Sequence, residues 1–332
     1  MKGVHRYAAI CLASLATFSQ VPTATAGDDG ILAIIAASAL IASQMNESAD
    51  ASSDEFTFIP SIGYQHKRLK FEQEYTAGFN QGRTAEFDAT IPTLNTSFTI
   101  AKSRLFLTFK YETDLADASV TTKENTAGFL AYQLNIPGGS TEVEREDMSL
   151  TLGYNVWKSL NIFVGYMKGK TELTPDAGCG FSAPDSGCLD AGFNPTPSAR
   201  LNLALDHQYS GLTNYQQTYE EEGPYIGLSY AWQIADIGSL SFSAAYAKMD
   251  GEYQDNYAAI ANENFKYTGD STGTSFGLTW TAPLGESSNY FIDIRKQKYD
   301  MDADDDNGNF PGAAVETKET MKGLTAGVQF YF

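Results

Sequence analysis

The chain has 332 residues, 42% hydrophobic and 19% charged, with 41 acidic against 22 basic side chains and a net charge of −19. That balance excludes a general nucleic-acid binder, which needs a positive surface, and suits either acidic surface loops or a salt-adapted host. Mean hydropathy is −0.27, and no stretch approaches about twenty consecutive apolar residues, so a helical membrane protein is excluded as well.

The amino terminus reads as a secretory signal peptide over 1–26. Lys2 and Arg6 precede an apolar stretch from Ala8 to Phe18, and Ala24-Thr25-Ala26 supplies small residues at a cleavage site. Loss of Lys2 and Arg6 takes the mature charge from −19 to −21. Cys11 lies inside the apolar stretch, the wrong place for a lipid anchor. Residues 27–55 hold a second apolar run, from Ile31 to Ser43, and a small, polar, acidic linker. The run is too short to span a bilayer, and the acidic Asp28-Asp29 before it argues against a second leader.

From 56 onward, apolar residues recur at every second position, the period of a strand with one greasy face. Ten such segments are predicted: 56–71, 86–101, 104–112, 144–156, 160–170, 224–233, 239–249, 273–283, 289–299 and 318–332. Their apolar faces include Ile62 and Tyr64, Leu105 and Leu107, Leu150 and Leu152, Ile162 and Val164, Leu228 and Tyr230, and Ile292 and Ile294. Twelve strands result if 126–135 and 200–207 are counted, since both also alternate.

The last segment places Leu324, Ala326, Val328, Phe330 and Phe332 on one face, with Thr325, Gln329 and Tyr331 on the other. Lipid outside and a polar lumen inside account for that split. With its Phe330-Tyr331-Phe332 end, the chain resembles a Gram-negative outer-membrane β-barrel, in which a terminal aromatic residue is read by the assembly machinery. The resemblance implies an all-β, transmembrane, antiparallel up-and-down barrel over 56–332. It also implies a place in the outer membrane among lipid and lipopolysaccharide, with the barrel-assembly machinery and periplasmic chaperones as partners. Connections alternate accordingly. Short turns fall near 102, 158, 237 and 286, and long ones at 75–85, 113–143, 171–223, 250–272 and 300–317. Trp157, Trp232 and Trp280 cluster near the short turns. Tyr64, Tyr111, Tyr166 and Tyr246 lie about 20 Å higher, as two aromatic girdles require.

The inward set supplies lumen candidates Lys67, Arg104, Lys110, Glu112, Asp293 and Arg295, with Phe106, Phe163 and Phe291. A barrel near eight strands is just filled by its side chains. A lumen shut by paired charges and a narrow polar pore are therefore both expected outcomes. Cys179 and Cys188, the two cysteines left after the leader, predict a disulfide in the longest loop. Asp302, Asp304 and Asp306 before Gly308 resemble half a calcium loop, but the glycine is one place late and no glutamate closes the pattern. A divalent cation is the one cofactor they suggest, and a solvated acidic loop is the simpler reading. Asp206, His207 and Ser210 could supply an acid, a base and a nucleophile. Their spacing matches neither omptin-like proteases nor lipid A deacylases. The leading expectation is a non-enzymatic barrel, porin-like or structural, and the alternative is a hydrolase acting on lipid A or peptide at the extracellular rim.

Overall fold

The computed structural model describes residues 55–77, 81–121, 123–126, 140–157, 159–175, 215–257, 264–305 and 312–332. Twelve strands form one antiparallel sheet. Ten are the staves of a barrel: β1 (Thr57–Ala77), β2 (Arg83–Lys102), β3 (Leu105–Asp114), β6 (Ser140–Trp157), β7 (Leu160–Pro175), β8 (Tyr215–Ile234), β9 (Gly238–Tyr257), β10 (Asn264–Gly285), β11 (Ser288–Asp305) and β12 (Ala314–Phe330). Two short strands, β4 (Ala118–Thr121) and β5 (Lys123–Thr126), extend the rim by pairing with β6 and β2.

Each stave pairs with its chain neighbours, and β12 returns to β1, so the sheet closes on itself. Closure pairs the backbone groups of neighbouring staves across the apolar girdle, as hydrocarbon demands. The seam is carried to the end of the chain. Phe58 N donates to Phe332 O at 3.0 Å, and Phe332 N donates to Phe58 O at 3.1 Å. Phe330 and Phe332 are exposed, while Tyr331 turns inward and receives the Asn289 amide.

The turns are tight at one end. Ser103 adopts φ 56° between β2 and β3, and a 3-10 turn at Ala235–Ile237, with Gly238 at φ 145°, joins β8 to β9. Arg104, expected in the lumen, sits exposed in the first of these turns. The reversal needs two residues, and Ser103 and Arg104 supply them, so the strand starts only at Leu105.

All ten predicted strands are present, with the predicted face outward. Leu150, Ile162, Ile226 and Ile294 stand 49%, 51%, 59% and 53% exposed around the wall. A monomer in water does not carry an apolar girdle of that extent, and lipid covers it. The 126–135 hairpin lies outside the described residues beyond Thr126, as does the whole of 200–207.

The staves run well past the predicted ends at the long-loop side, and there the polarity inverts. On β1 the outward residues change from Ile62 and Tyr64, through His66, to Arg68, Lys70 and Glu72, while the inward ones change from Ser61 and Gln65 to Leu69 and Phe71. On β11 the outward series passes from Ile292 and Ile294 to Lys296, Lys298 and Asp300, and the inward series from Asp293 and Arg295 to Tyr299, Met301 and Ala303. The lower wall is greasy outside and polar inside. The upper wall is charged outside and apolar inside, as in a barrel surrounded by water.

Candidate functional site: the barrel lumen

The bore is filled in layers. At the turn end, three inward phenylalanines each lie directly opposite a glycine of the next strand. These pairs are Phe106 with Gly153, Phe163 with Gly227 and Phe291 with Gly327. Each ring occupies the space a Cβ would need. The arrangement lets a large ring lie flat across a narrow bore without forcing the strands apart. Gly227→Val should therefore push the Phe163 ring off its seat and destabilise the barrel by about 1–3 kcal/mol. The midpoint of urea unfolding in detergent measures the loss, and an unchanged midpoint would contradict this packing.

Above the rings lies a hydrogen-bonded and ionic layer. Gln65 Nε2 donates to Thr325 Oγ1 at 3.0 Å, and Thr93 Oγ1 donates to Gln65 Oε1 at 3.1 Å, linking three strands. Asp293 pairs with Arg295 and accepts from Thr279 Oγ1 at 2.6 Å. Glu112 accepts from Asn95 Nδ2 at 2.9 Å and from Lys110 Nζ at 3.1 Å, and it also pairs with Lys67. Lys67 Nζ reaches Asp147 Oδ2 at 2.9 Å. The predicted candidates Lys67, Lys110, Glu112, Asp293 and Arg295 thus all face the lumen.

The organising cation was not among those candidates. Arg145, on β6, is 2% exposed. Its Nη1 donates to Glu319 Oε2 and to Thr171 Oγ1, both at 2.7 Å. Its Nη2 donates to Asp147 Oδ1 at 2.7 Å, and Nε to the same oxygen at 3.0 Å. The guanidinium lies 6.0 Å from the Tyr299 ring centre. Glu221, buried on β8, accepts from Ser271 Oγ at 3.0 Å at the same level. Arg145, Asp147, Glu319 and Glu221 all share the parity of the inward set on their strands, and that was the one available signal for them. A cavity of about 20 Å³ beside Lys110, Glu112, Asp147 and Gln297 has room for a single water.

An aromatic layer closes the top. Phe71 stacks on Phe87 at 5.0 Å and meets Tyr219 at 4.4 Å. Tyr219 stacks on Tyr253 at 4.6 Å, and Tyr253 on Tyr267 at 5.5 Å. Leu69, Ile91, Val143, Met249, Met301 and Val315 pack around these rings, all buried.

The remaining candidates fall elsewhere. Asp302 and Asp304 stand on the outward face of β11 rather than in a loop, and Asp306 lies outside the described residues. Among the described residues no group of three or more His, Cys, Asp or Glu side chains is arranged to hold a metal. Residues 1–54, with the leader and apolar run, lie outside the described residues too, as do Cys179, Cys188, Asp206, His207 and Ser210.

No protein-family profile and no curated protein matches the chain. Among solved structures, the outer membrane protease OmpT from Escherichia coli is 14% identical with a TM-score of 0.52, and the match covers 84% of this chain and 97% of that one. The outer membrane protein OprG from Pseudomonas aeruginosa is 10% identical with a TM-score of 0.36, covering 84% and 97%. A Pseudomonas aeruginosa FadL homologue is 11% identical with a TM-score of 0.31, covering 92% and 99%. The likeness to OmpT is one of fold. With its closed ladder, apolar outer girdle and tight turns at one end, the chain has the fold of a ten-stave outer-membrane β-barrel.

Proposed function

We propose that the protein serves the outer membrane as a sealed structural barrel that displays its long connections at the cell surface, and not as a diffusion pore. The observation that carries this reading is the continuous filling of the bore, from the Phe–Gly floor through the Arg145 network to the Phe71–Tyr253 lid. Ten staves lie near the size at which side chains alone fill a barrel. The ion pairs are buried and cross-linked, with Arg295 Nη1, Glu221 Oε2 and Glu319 Oε1 left without a hydrogen-bond partner among the described residues, and an ion entering would have to break several charge-assisted contacts at once. Assembly through a terminal aromatic signal at Phe330, Tyr331 and Phe332 belongs to the same proposal.

Planar-bilayer recording tests it. Folded protein, verified by its heat-dependent shift on a gel, should add no stepwise current to the lipid baseline. Regular unit steps would replace this reading with a pore. Hydrolysis of lipid A or peptide that disappears in His207→Ala would replace it with a rim hydrolase.

A further inference from the structure

The charged upper wall is not uniform around the barrel. On three adjacent staves, β11, β12 and β1, one outward row just above the apolar girdle is basic throughout, with His66 beneath it on β1. Lys296 lies directly opposite Lys322, and Lys322 directly opposite Arg68. With strands about 4.8 Å apart, three cations fall in one row about 10 Å wide. The next rows add Lys298, Lys70 and Lys318 on the same three staves. Six of the chain's 22 basic residues thus crowd one sector of a protein whose net charge is −19.

Like charges directly opposite each other on a sheet destabilise it, so the row calls for a counter-charge. Arg68 has one, since its guanidinium forks onto Asp88, with Nε at 2.7 Å from Oδ1. Lys298 has Asp300 at 2.5 Å, and Lys70 has Glu72 at 2.8 Å. Lys296 and Lys322 make no ion pair among the described residues. These two ammonium groups stand side by side with no carboxylate in contact, although Lys322 shares the field of Asp88 with Arg68, while Lys318 has Glu316 and Lys70 also reaches Glu86, both at 3.7 Å. Beneath them Ile294 and Leu324 pair across the same two strands, 53% and 48% exposed, at the edge of the lipid-facing band. Around the other side, cations at this level are matched within the wall: Lys168 has Glu220 at 2.6 Å, and Lys248 has Asp270 at 3.6 Å.

We propose that Lys296 and Lys322, flanked by Arg68, form a seat for the phosphomonoester headgroup of an outer-leaflet lipid whose acyl chains lie along Ile294 and Leu324. The charge count selects the headgroup. Two adjacent ammonium groups without a carboxylate in contact match one dianionic phosphomonoester, whereas a phosphodiester carries a single charge. The height selects a lipid, because the cations stand immediately above hydrocarbon-facing side chains and long basic side chains reach headgroups from there. The site rests on the outer-membrane placement of the barrel.

The test compares the full chain with Lys296→Gln/Lys322→Gln in neutral detergent, adding diphosphoryl lipid A, phosphatidylglycerol or inorganic phosphate. Retained lipid is counted by native mass spectrometry, and the thermal midpoint is followed. The parent should retain lipid A in preference to phosphatidylglycerol, with a raised midpoint, and inorganic phosphate should not raise it. The double substitution should weaken lipid A retention by about fivefold per charge removed, about thirtyfold in all. In detergent alone it should leave the midpoint equal or higher, since a repulsion is relieved. Lys168→Gln/Lys248→Gln, on the opposite wall, should retain lipid A like the parent. Equal retention by the Lys296/Lys322 variant, equal preference for the phosphodiester, or equal protection by inorganic phosphate would each overturn the site. The heat-dependent gel shift, read on the same samples, separates such a result from failure of the barrel itself.

Discussion

Arg145→Ala is expected to lower the unfolding free energy by about 3–5 kcal/mol. The guanidinium holds Asp147 and Glu319 through three contacts of 2.7–3.0 Å and donates besides to Thr171, in a layer where Arg145 and Glu319 are each 2% exposed. Truncation leaves those carboxylates facing each other, with Glu221 at the same level and the guanidinium that joined them gone. Equilibrium unfolding in urea, followed by tryptophan fluorescence in detergent, gives the number. Arg145→Lys keeps the charge but not the fork, and should fall between parent and alanine variant. The coupling is itself measurable: Arg145→Ala with Glu319→Gln should cost less than the sum of the two single changes, because the second removes a charge the first orphans. Strict additivity would mean that the two residues do not share a network.

Phe71→Ala probes the lid by a different physics. The ring is fully buried between Phe87 and Tyr219 and carries no polar atom, so its removal creates a cavity and nothing else. The expected loss is about 3–5 kcal/mol, with Phe71→Leu much milder. The bilayer current should stay at baseline in Phe71→Ala, because the ionic layer below remains shut. A loss under about 1 kcal/mol would show that the upper wall collapses easily around the gap and is not a rigid core. An open current in this single variant would show that the lid alone was the seal.

How far the sequence revealed all this depended on where along a stave one looks. Through the lipid-facing band the alternation is unambiguous, because Leu150, Leu152, Ile162 and Val164 have no competing reason to recur at every second place. Strand count, inward and outward faces and the four turns were therefore legible. So were Lys67, Lys110, Glu112, Asp293 and Arg295 as lumen residues. Arg104 was misplaced because the turn takes one residue more than its composition announces. The strand ends were set too low for a deeper reason. Past the girdle, outward positions such as Lys168, Glu220, Lys298 and Asp300 become charged, and a search for greasy outward faces reads charge as loop. The pattern persists with its sign reversed. Inward Phe71, Leu173, Tyr253, Met301 and Val315 continue the alternation that outward Tyr64, Tyr166 and Ile294 carry below. Arg145 and Glu319 lay inside predicted strands at inward positions, but one-dimensional spacing cannot tell which two of many inward charges meet across a bore when they are 174 residues apart in sequence.

The reversal of polarity has a mechanical consequence. On β10 about a dozen residues rise beyond Phe276, which at about 3.3 Å per residue and a 40° tilt lifts the upper lip some 30 Å clear of the lipid. Because that stretch is stiffened by its own dry centre, it works as a pedestal. A large molecule drifting toward the cell would touch whatever the pedestal carries before it reached any lipid.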